Sequence, residues 1–423
     1  MLTRRPRGTE DLVDEIIPYW RFMEDTVREL CANYGYEEIR TPIFEHTELF
    51  NRSVGETTDI VEKEMYSFMD RGNRSITLRP EGTAAVVRAY LENRLYAGPQ
   101  PSKLFYLGPM FRYGRPQAGR LRQFHQFGVE VFGTDHPALD AEVIALAMDF
   151  YTRLGLKDLE LHLNSVGCPE CRPLHREKLQ EHFRPHLAEL CGTCRDRFER
   201  NPLRILDCKS EKCQELAKGA PQITKHLCSP CEQHFLELCR YVDRIGITYI
   251  IDSALVRGLD YYTNTAFEIE VKGIGAQSSI GGGGRYNGLV EEIGGKDAPG
   301  IGFGLGLERV VLAMKEQGVN PRAKKAMEVY VITAGEDLEE ESFILVQELR
   351  RAGICADRDY LGKSVKAQFK NADKYGASYT VVLGSEEISR GVVGLRDMSS
   401  GEQLDVRRKD LIDTLQRKRS ENK

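Results

Sequence analysis

Long apolar runs are missing from this chain, and none approaches the ~18 residues that cross a bilayer as a helix. The first residues, MLTRRPRGTEDL, hold no apolar h-region, so no secretory signal is expected. A cytoplasmic protein without a membrane partner is the reading. Internal repeats and low-complexity tracts are absent too. GxGxxG fails at Gly302 and Gly304, because Leu307 stands where the last glycine belongs. LGKS at 361–364 ends as a P-loop does, but Asp357 occupies the required upstream glycine position. HExxH does not occur, and no Ser/His/Asp or Cys/His arrangement is legible. Dinucleotide fingerprint, Walker loop, zincin and triad hydrolase are all poorly supported.

Carboxylates are missing from one short stretch. FRYGRPQAGRLRQ (111–123) has four arginines, Arg112, Arg115, Arg120 and Arg122, and no acid. Gly114, Pro116 and Gly119 rule out a regular helix there. The whole chain carries a net charge of −5, which argues against indiscriminate nucleic-acid binding and leaves a local patch for a large anion. With 423 residues, 41% apolar and 29% charged, the chain has the composition of two or three globular domains.

Of eleven cysteines, eight lie between 168 and 231, and Cys239 follows. Cys168/Cys171, Cys191/Cys194 and Cys228/Cys231 are CxxC pairs, and Cys208/Cys213 is looser. In a cytosolic chain such pairs point to metal before disulfides. Two readings stand: tetrahedral zinc on the quartet Cys191, Cys194, Cys228 and Cys231, or unliganded thiols in a lineage-specific insertion.

Periodicity predicts a helix over 12–34, then YEEIRTPIFE as a strand broken by Pro42. SKLFYLGPMFR and RQFHQFGVEVFG read as hairpin strands around the arginine loop. In the second, Arg122, Gln126 and Glu130 share one face, and His125, Phe127, Val129 and Val131 the other. That is the floor of a polar pocket. A helical stretch (166–245) interrupts a β-rich pattern that resumes at ITYIID. SSIGGGGRYNGLV and GIGFGLGLERVVLA supply glycine-rich strands. From about 327, strands and helices alternate as in a small, mainly parallel α/β domain. There, Lys363, Lys366, Lys370 and Lys374 form a stripe at helical spacing, a solvated surface or a phosphate-contacting face.

Arg112, Arg257 and Arg309 each sit in a glycine-rich setting, where a ligand can approach the backbone. A single arginine is usually a solvated ion pair; three in such settings suit phosphate, which guanidinium binds bidentately.

Taken together, YGYEEIRTPIFE, GPMFRYGRPQAGRLRQFHQFGVEVFG and GIGFGLGLERVVLA resemble motifs 1, 2 and 3 of class II aminoacyl-tRNA synthetases. RGLDYYTNTAFE and SSIGGGGRYNGLV resemble two blocks peculiar to the bacterial histidyl-tRNA synthetases, and the resemblance covers almost the whole chain.

The resemblance implies an α+β class II synthetase catalytic domain over 1–325, with a six-stranded antiparallel sheet flanked by helices. It further implies a helical Cys-rich insertion at 166–245 and a C-terminal α/β anticodon-binding domain over 326–423. The implied activity is ligation of L-histidine to tRNA-His through histidyl-adenylate, using ATP with Mg2+, in a cytoplasmic homodimer. Residue by residue, Arg112 should grip the α-phosphate and the histidine carboxylate. Arg257 should add positive charge there in place of a metal ion, and Arg309 should lie against ATP. Glu81, Gly82, Thr83 and Gln126 belong at the α-amino end of histidine, and Glu130, Tyr261 and Tyr262 at its imidazole. Arg115 and Gln117 should meet the tRNA acceptor end. The Cys-rich stretch exceeds what the family requires, so zinc there gains nothing from the resemblance. A regulatory paralogue that binds histidine without charging tRNA is the rival. It typically lacks the C-terminal domain and has degraded ATP motifs, whereas 328–420, Arg112, Arg257 and Arg309 are all present here.

Overall fold

Two ten-residue runs on either side of the arginine loop pair in register from Ser102 with Phe132 to Phe111 with Gln123. The computed structural model describes residues 3–54, 58, 60–257, 259, 261–272, 278–321 and 327–421. In chain order the first strands are β1 (Glu37–Glu38), β2 (Phe44–His46), β3 (Tyr66–Met69), β4 (Ser75–Leu78), β5 (Ser102–Phe111) and β6 (Gln123–Phe132). Then come β7 (Leu159–Ser165), β8 (Tyr249–Ile251), β9 (Thr263–Val271), β10 (Ser279–Arg285) and β11 (Gly300–Gly306).

The large sheet runs β1-β5-β6-β11-β10-β9-β7-β8. Its six inner strands are mutually antiparallel, while β1 and β8 join the edges in parallel. The six antiparallel strands expected are present, and two parallel edge strands extend them to eight. Pro42 explains part of the difference, since it splits YEEIRTPIFE between two sheets. Glu37 and Glu38 edge the large one, and Phe44–His46 joins β4 and β3 in a small one.

One sheet face is apolar. Phe127, Val129 and Val131 of β6 pack with Phe267 and Ile269 of β9 and Ile301, Phe303 and Leu305 of β11, all essentially inaccessible to solvent. Helices Ile17–Asn33, Pro137–Arg153 and Leu307–Glu316 cover them with their own apolar stripes. Each such side chain contributes roughly 1.5–3 kcal/mol. The other face stays polar, as the alternation in β6 predicts.

A buried ion pair pins the helical layer to the sheet. Asp140 of the helix Pro137–Arg153 meets Arg285 at the end of β10, and neither side chain is exposed to solvent. His234 and the Thr265 hydroxyl reach the same carboxylate, at 2.9 and 2.5 Å. Burial works against the Asp140 charge, but Arg285 and His234 hold its pKa below the usual carboxylate value. Thr265→Val removes one donor and is expected to cost about 1–2 kcal/mol in chemical denaturation. An unchanged midpoint would show the hydroxyl to be dispensable.

Between β7 and β8 the chain is mostly helical: Arg172–Phe183, Gly192–Arg200, Glu211–Ala217 and Ser229–Arg244. Phe235, Leu238 and Val242 of the last helix join the main core. The first three helices surround a small cluster of their own, including Leu179, Phe183, Leu190 and Phe198.

The chain divides into compact units at Pro321 and 322, and the expected boundary at 325/326 lies outside the described residues. In the second unit, β12 (Val329–Ala334), β13 (Ala356–Arg358) and β14 (Tyr379–Gly384) are parallel. β15 (Val392–Asp397) and β16 (Gln403–Arg407) extend the sheet antiparallel, in the order β13-β12-β14-β15-β16. This hairpin, which turns at Ser399–Gly401, was not among the expected strands. The lysine stripe falls on the helix Val365–Lys374 at Lys366, Lys370 and Lys374, all exposed. Lys363 precedes the helix, with its N–H bonded to Asp359.

Candidate active site

On the polar face of the large sheet a cleft of about 360 Å³ is lined by Glu81, Thr83, Arg112, Gln126, Arg257, Tyr261, Tyr262 and Arg309, among others. These residues come from separate parts of the sequence. β5, β6, β9, β10 and β11 run side by side and carry or adjoin most of them.

The glycine-rich strands make the floor. At Gly282 an added Cβ would come 2.5 Å from the Phe267 carbonyl and 2.9 Å from the Arg257 guanidinium. At Gly302 it would run into the Glu130 carboxylate. Neighbouring backbone carbonyls and side chains already fill these positions, so no other residue fits there.

Glu81 accepts the N–H groups of Thr83 (2.7 Å) and Ala84 (2.9 Å), which caps the helix Thr83–Glu92. Gly82 sits at the N-cap, close under the Tyr106 ring. Burial pushes the Glu81 pKa up, against those two N–H donors. The Thr83 hydroxyl donates to Glu130 at 2.7 Å, and Tyr286 donates at 2.5 Å. Tyr106 reaches the same carboxylate at 3.4 Å.

Glu130 is therefore fully enclosed behind the cleft wall instead of lining it. Burial, aided by the nearby Glu81 charge, raises its pKa to about 8 in spite of its three donors. Gln126, two positions back on the same face, does line the cleft, and its buried Oε1 has no hydrogen-bond partner among the described residues.

The three arginines converge from different directions. Arg112 donates through Nε to the Pro80 carbonyl at 2.7 Å and lies over the Phe124 ring, 5.3 Å from its centroid. Arg257 pairs with Glu268 of β9, while its buried Nε has no partner among the described residues. Arg309 donates to the Ser279 carbonyl at 2.5 Å. Burial lowers the pKa values of Arg112 and Arg309, and Arg120 adds to the effect at Arg309. Both guanidinium groups stay charged, and a polyanion entering the cleft would relieve that cost. Gly258 and Asp260 of RGLDYY lie outside the described residues.

The arginine loop divides its charges. Arg120 pairs with Glu64 at 2.8 Å, a carboxylate supplied from distant sequence, and Arg122 lies 3.8 Å from the Tyr113 ring centroid. Arg115 and Gln117 are exposed. At the rim His125 is tied to Glu308 through both its backbone N–H and its ring Nδ1 (2.9 Å), and its ring stands edge-on to Trp20 at 4.7 Å.

Sequence reasoning missed Tyr106 and Lys209, which line the cleft; Tyr286, in the SSIGGGGRYNGLV block, completes the Glu130 shell. Gly128 offered a signal for Tyr106. A glycine between Gln126 and Glu130 in a strand marks something lying across it, and Tyr106 occupies that space.

The expected zinc quartet is not one site. Cys191 and Cys194 gather with Cys208 and Cys213, whereas Cys228 and Cys231 gather with Cys168 and Cys171. The Ser229–Arg244 helix returns Cys228 and Cys231 to the end of β7, away from the small cluster that holds Cys194.

A family model described as histidyl-tRNA synthetase matches residues 8–310. The chain belongs to the histidyl-tRNA synthetase family. A second model, described as an anticodon binding domain, matches residues 328–418. Among the family's curated members, histidine–tRNA ligase of Moorella thermoacetica is 65% identical over 406 residues, 96% of each chain. That of Desulforamulus reducens is 62% identical over 412 residues, 97% of this chain and 98% of the relative. The apo S. aureus histidyl-tRNA synthetase structure is 41% identical with a TM-score of 0.84, covering 98% of this chain and all of that one. The histidyl-tRNA synthetase match spans the strands and helices that bring the three arginines together, and the separate five-stranded unit coincides with the second match.

Proposed function

We propose that the protein attaches L-histidine to tRNA-His in two steps at this one cleft. ATP enters with its Mg2+ as substrate. The histidine carboxylate attacks the α-phosphorus, pyrophosphate leaves, and the histidyl-adenylate then passes its acyl group to the 3′-terminal ribose of the tRNA. The observation that carries the reading is the cleft's composition. Three guanidinium groups line it, and a carboxylate in a shell of phenols and a hydroxyl is enclosed behind its wall.

A carboxylate nucleophile is ionised at neutral pH, so no general base is required. Orientation and charge stabilisation suffice. Arg112 and Arg257 are assigned to hold the α-phosphate as negative charge builds on it, and Arg309 to the nucleotide; all three line the cleft. Glu81, Thr83 and the unpartnered Oε1 of Gln126 supply acceptors for the α-ammonium group. Tyr262, which lines the cleft, and Glu130, which stands behind its wall, are assigned to the two imidazole nitrogens, with Tyr261 packed against Tyr262 at 4.8 Å ring separation. An amino acid without those nitrogens would leave buried polar groups unpaired.

Arg115 and Gln117, exposed on the loop, are assigned to the tRNA acceptor end, and the second unit to the anticodon. A cytoplasmic homodimer joined through the region of β1 and β2 completes the reading. Arg115→Ala separates the two steps. Histidine-dependent ATP–pyrophosphate exchange should stay within about twofold of the parent, while kcat/KM for tRNA should fall about tenfold, the loss of one phosphate or base contact. Unchanged tRNA charging would remove Arg115 from the interface. Absence of exchange in the parent protein despite histidine binding would favour the regulatory reading.

A further inference from the structure

Eight of the eleven cysteines form two fourfold groups, and in each group all four sulfurs lie within 4.8 Å of one another. In the first, Cys168 Sγ is 3.6 Å from Cys171 Sγ and 3.8 Å from Cys228 Sγ, with Cys231 as the fourth member. In the second, Cys191 Sγ is 3.8 Å from Cys208 Sγ, with Cys194 and Cys213. These separations are nearly twice the ~2.05 Å of a disulfide, and all eight cysteines are free. They match a different geometry. Four thiolates each about 2.3 Å from a central ion form a tetrahedron with edges of about 3.8 Å.

Spacing and hydrogen bonding agree. The first group is two CxxC pairs, and the second is one CxxC pair with a Cys-x4-Cys pair, within the range zinc knuckles use. Backbone N–H groups point at the sulfurs, as they do where thiolate charge needs support. Cys228 N–H donates to Cys171 Sγ at 3.1 Å, Cys191 N–H to Cys213 Sγ at 3.3 Å, and Ser210 N–H to Cys208 Sγ at 3.5 Å. An all-sulfur tetrahedral set suits zinc or iron–sulfur chemistry. A [4Fe–4S] cube binds each thiolate to a different iron and so holds the sulfurs farther apart than these.

We propose that the segment between β7 and β8 carries two structural zinc ions, one in each tetrathiolate group. Each set is closed, with four protein ligands and no position left for water, so neither ion takes part in the chemistry. Their places in the fold differ. The first joins the two feet of the segment, because Cys168 and Cys171 follow β7 directly while Cys228 and Cys231 head the helix that leads back to β8. It also abuts the start of β9. Cys231 Sγ is 3.1 Å from Asn264 Oδ1, and Asn264 holds a left-handed backbone (φ 49°) two residues after Tyr262.

The second ion lies inside the small cluster of Leu179, Phe183 and Phe198, which is too slight a core to stand unaided. It also holds the Cys208–Cys213 loop, and Lys209 on that loop lines the active-site cleft.

Full-length protein expressed with zinc in the medium and freed of loose metal is expected to contain two zinc ions per chain by elemental analysis. Cys171→Ser and the double variant Cys208→Ser/Cys213→Ser should each retain one. Because these variants can misfold, the parent supplies an independent reading. Titration with an organomercurial should release two zinc ions to a colorimetric chelator. Cobalt(II) should replace them with the visible bands of tetrahedral CoS4. Less than about 0.2 zinc per chain, with all eight thiols reacting at once with a disulfide reagent, would overturn the proposal. So would iron in place of zinc, or one ion shared by both groups and lost whole in either variant.

Discussion

Arg257→Ala is expected to reduce the rate of histidine-dependent ATP–pyrophosphate exchange by about 10²–10³-fold, measured without tRNA. The magnitude is that of a single preorganised donor aimed at charge that develops in the transition state, about 2.7–4 kcal/mol. Arg257 is preorganised in this sense. Its guanidinium is held by Glu268, lies 5.9 Å from the Tyr262 ring centroid, and rests over the bare backbone of Gly282. A lysine cannot reproduce the fork, so Arg257→Lys should recover only part of the loss. Alanine also leaves Glu268 unpaired, a cost to the fold separate from the cost to the chemistry. Arg257→Ala/Glu268→Gln removes that complication and should remain as slow as the single variant. A rate within tenfold of the parent in the double variant would take Arg257 out of the reaction.

Glu130→Gln should lower kcat/KM for histidine about 10²-fold and at the same time make the free protein more stable at pH 8. The first effect is the loss of the carboxyl partner assigned to the imidazole, in a site too closed for water to replace it. The second follows from proton linkage. The pKa of Glu130 rises from 4.5 in the unfolded chain to about 8 in the fold, so between those values the folded state holds a proton that the unfolded state has lost. Stability contributed by this group is thus intact below about pH 4.5 and is lost as pH climbs to 8. At 1.36 kcal/mol per unit, the penalty reaches about 5 kcal/mol. Glutamine never ionises and escapes it. Thermal unfolding of parent and variant at pH 5.5, 7 and 8.5 should show the difference in midpoint widening with pH. Parallel midpoints across that range would mean that Glu130 is already ionised in the fold. Activity and stability then move in opposite directions at one buried carboxylate.

Much of this site was legible because its chemistry is written in local pattern. Alternation in β6 placed Gln126 and Glu130 on one face, and runs of glycine at 281–284 and 302–306 announced that something lies across those strands. What local pattern could not supply was long-range closure. Glu64, which neutralises Arg120, comes from 56 residues earlier. Tyr286 meets Glu130 across 156 residues. The cysteine grouping failed for the same reason. Spacing identifies each knuckle but not its partner, and the returning helix Ser229–Arg244 pairs the outermost two. Pro42 shows the converse, since its rule was known but not that the broken strand would serve two different sheets.

Trp20 is the chain's only tryptophan, and it stands edge-on to His125, whose other contacts fasten it to Glu308 beside Arg309. Indole emission responds to rings and charges within a few ångströms. The fluorophore lies on the apolar side of the sheet, out of the way of substrates, yet one residue separates it from the rim of the cleft. The protein thus carries an unlabelled optical reporter with a single source, suited to following the arrival of nucleotide and amino acid on the millisecond scale, one ligand at a time.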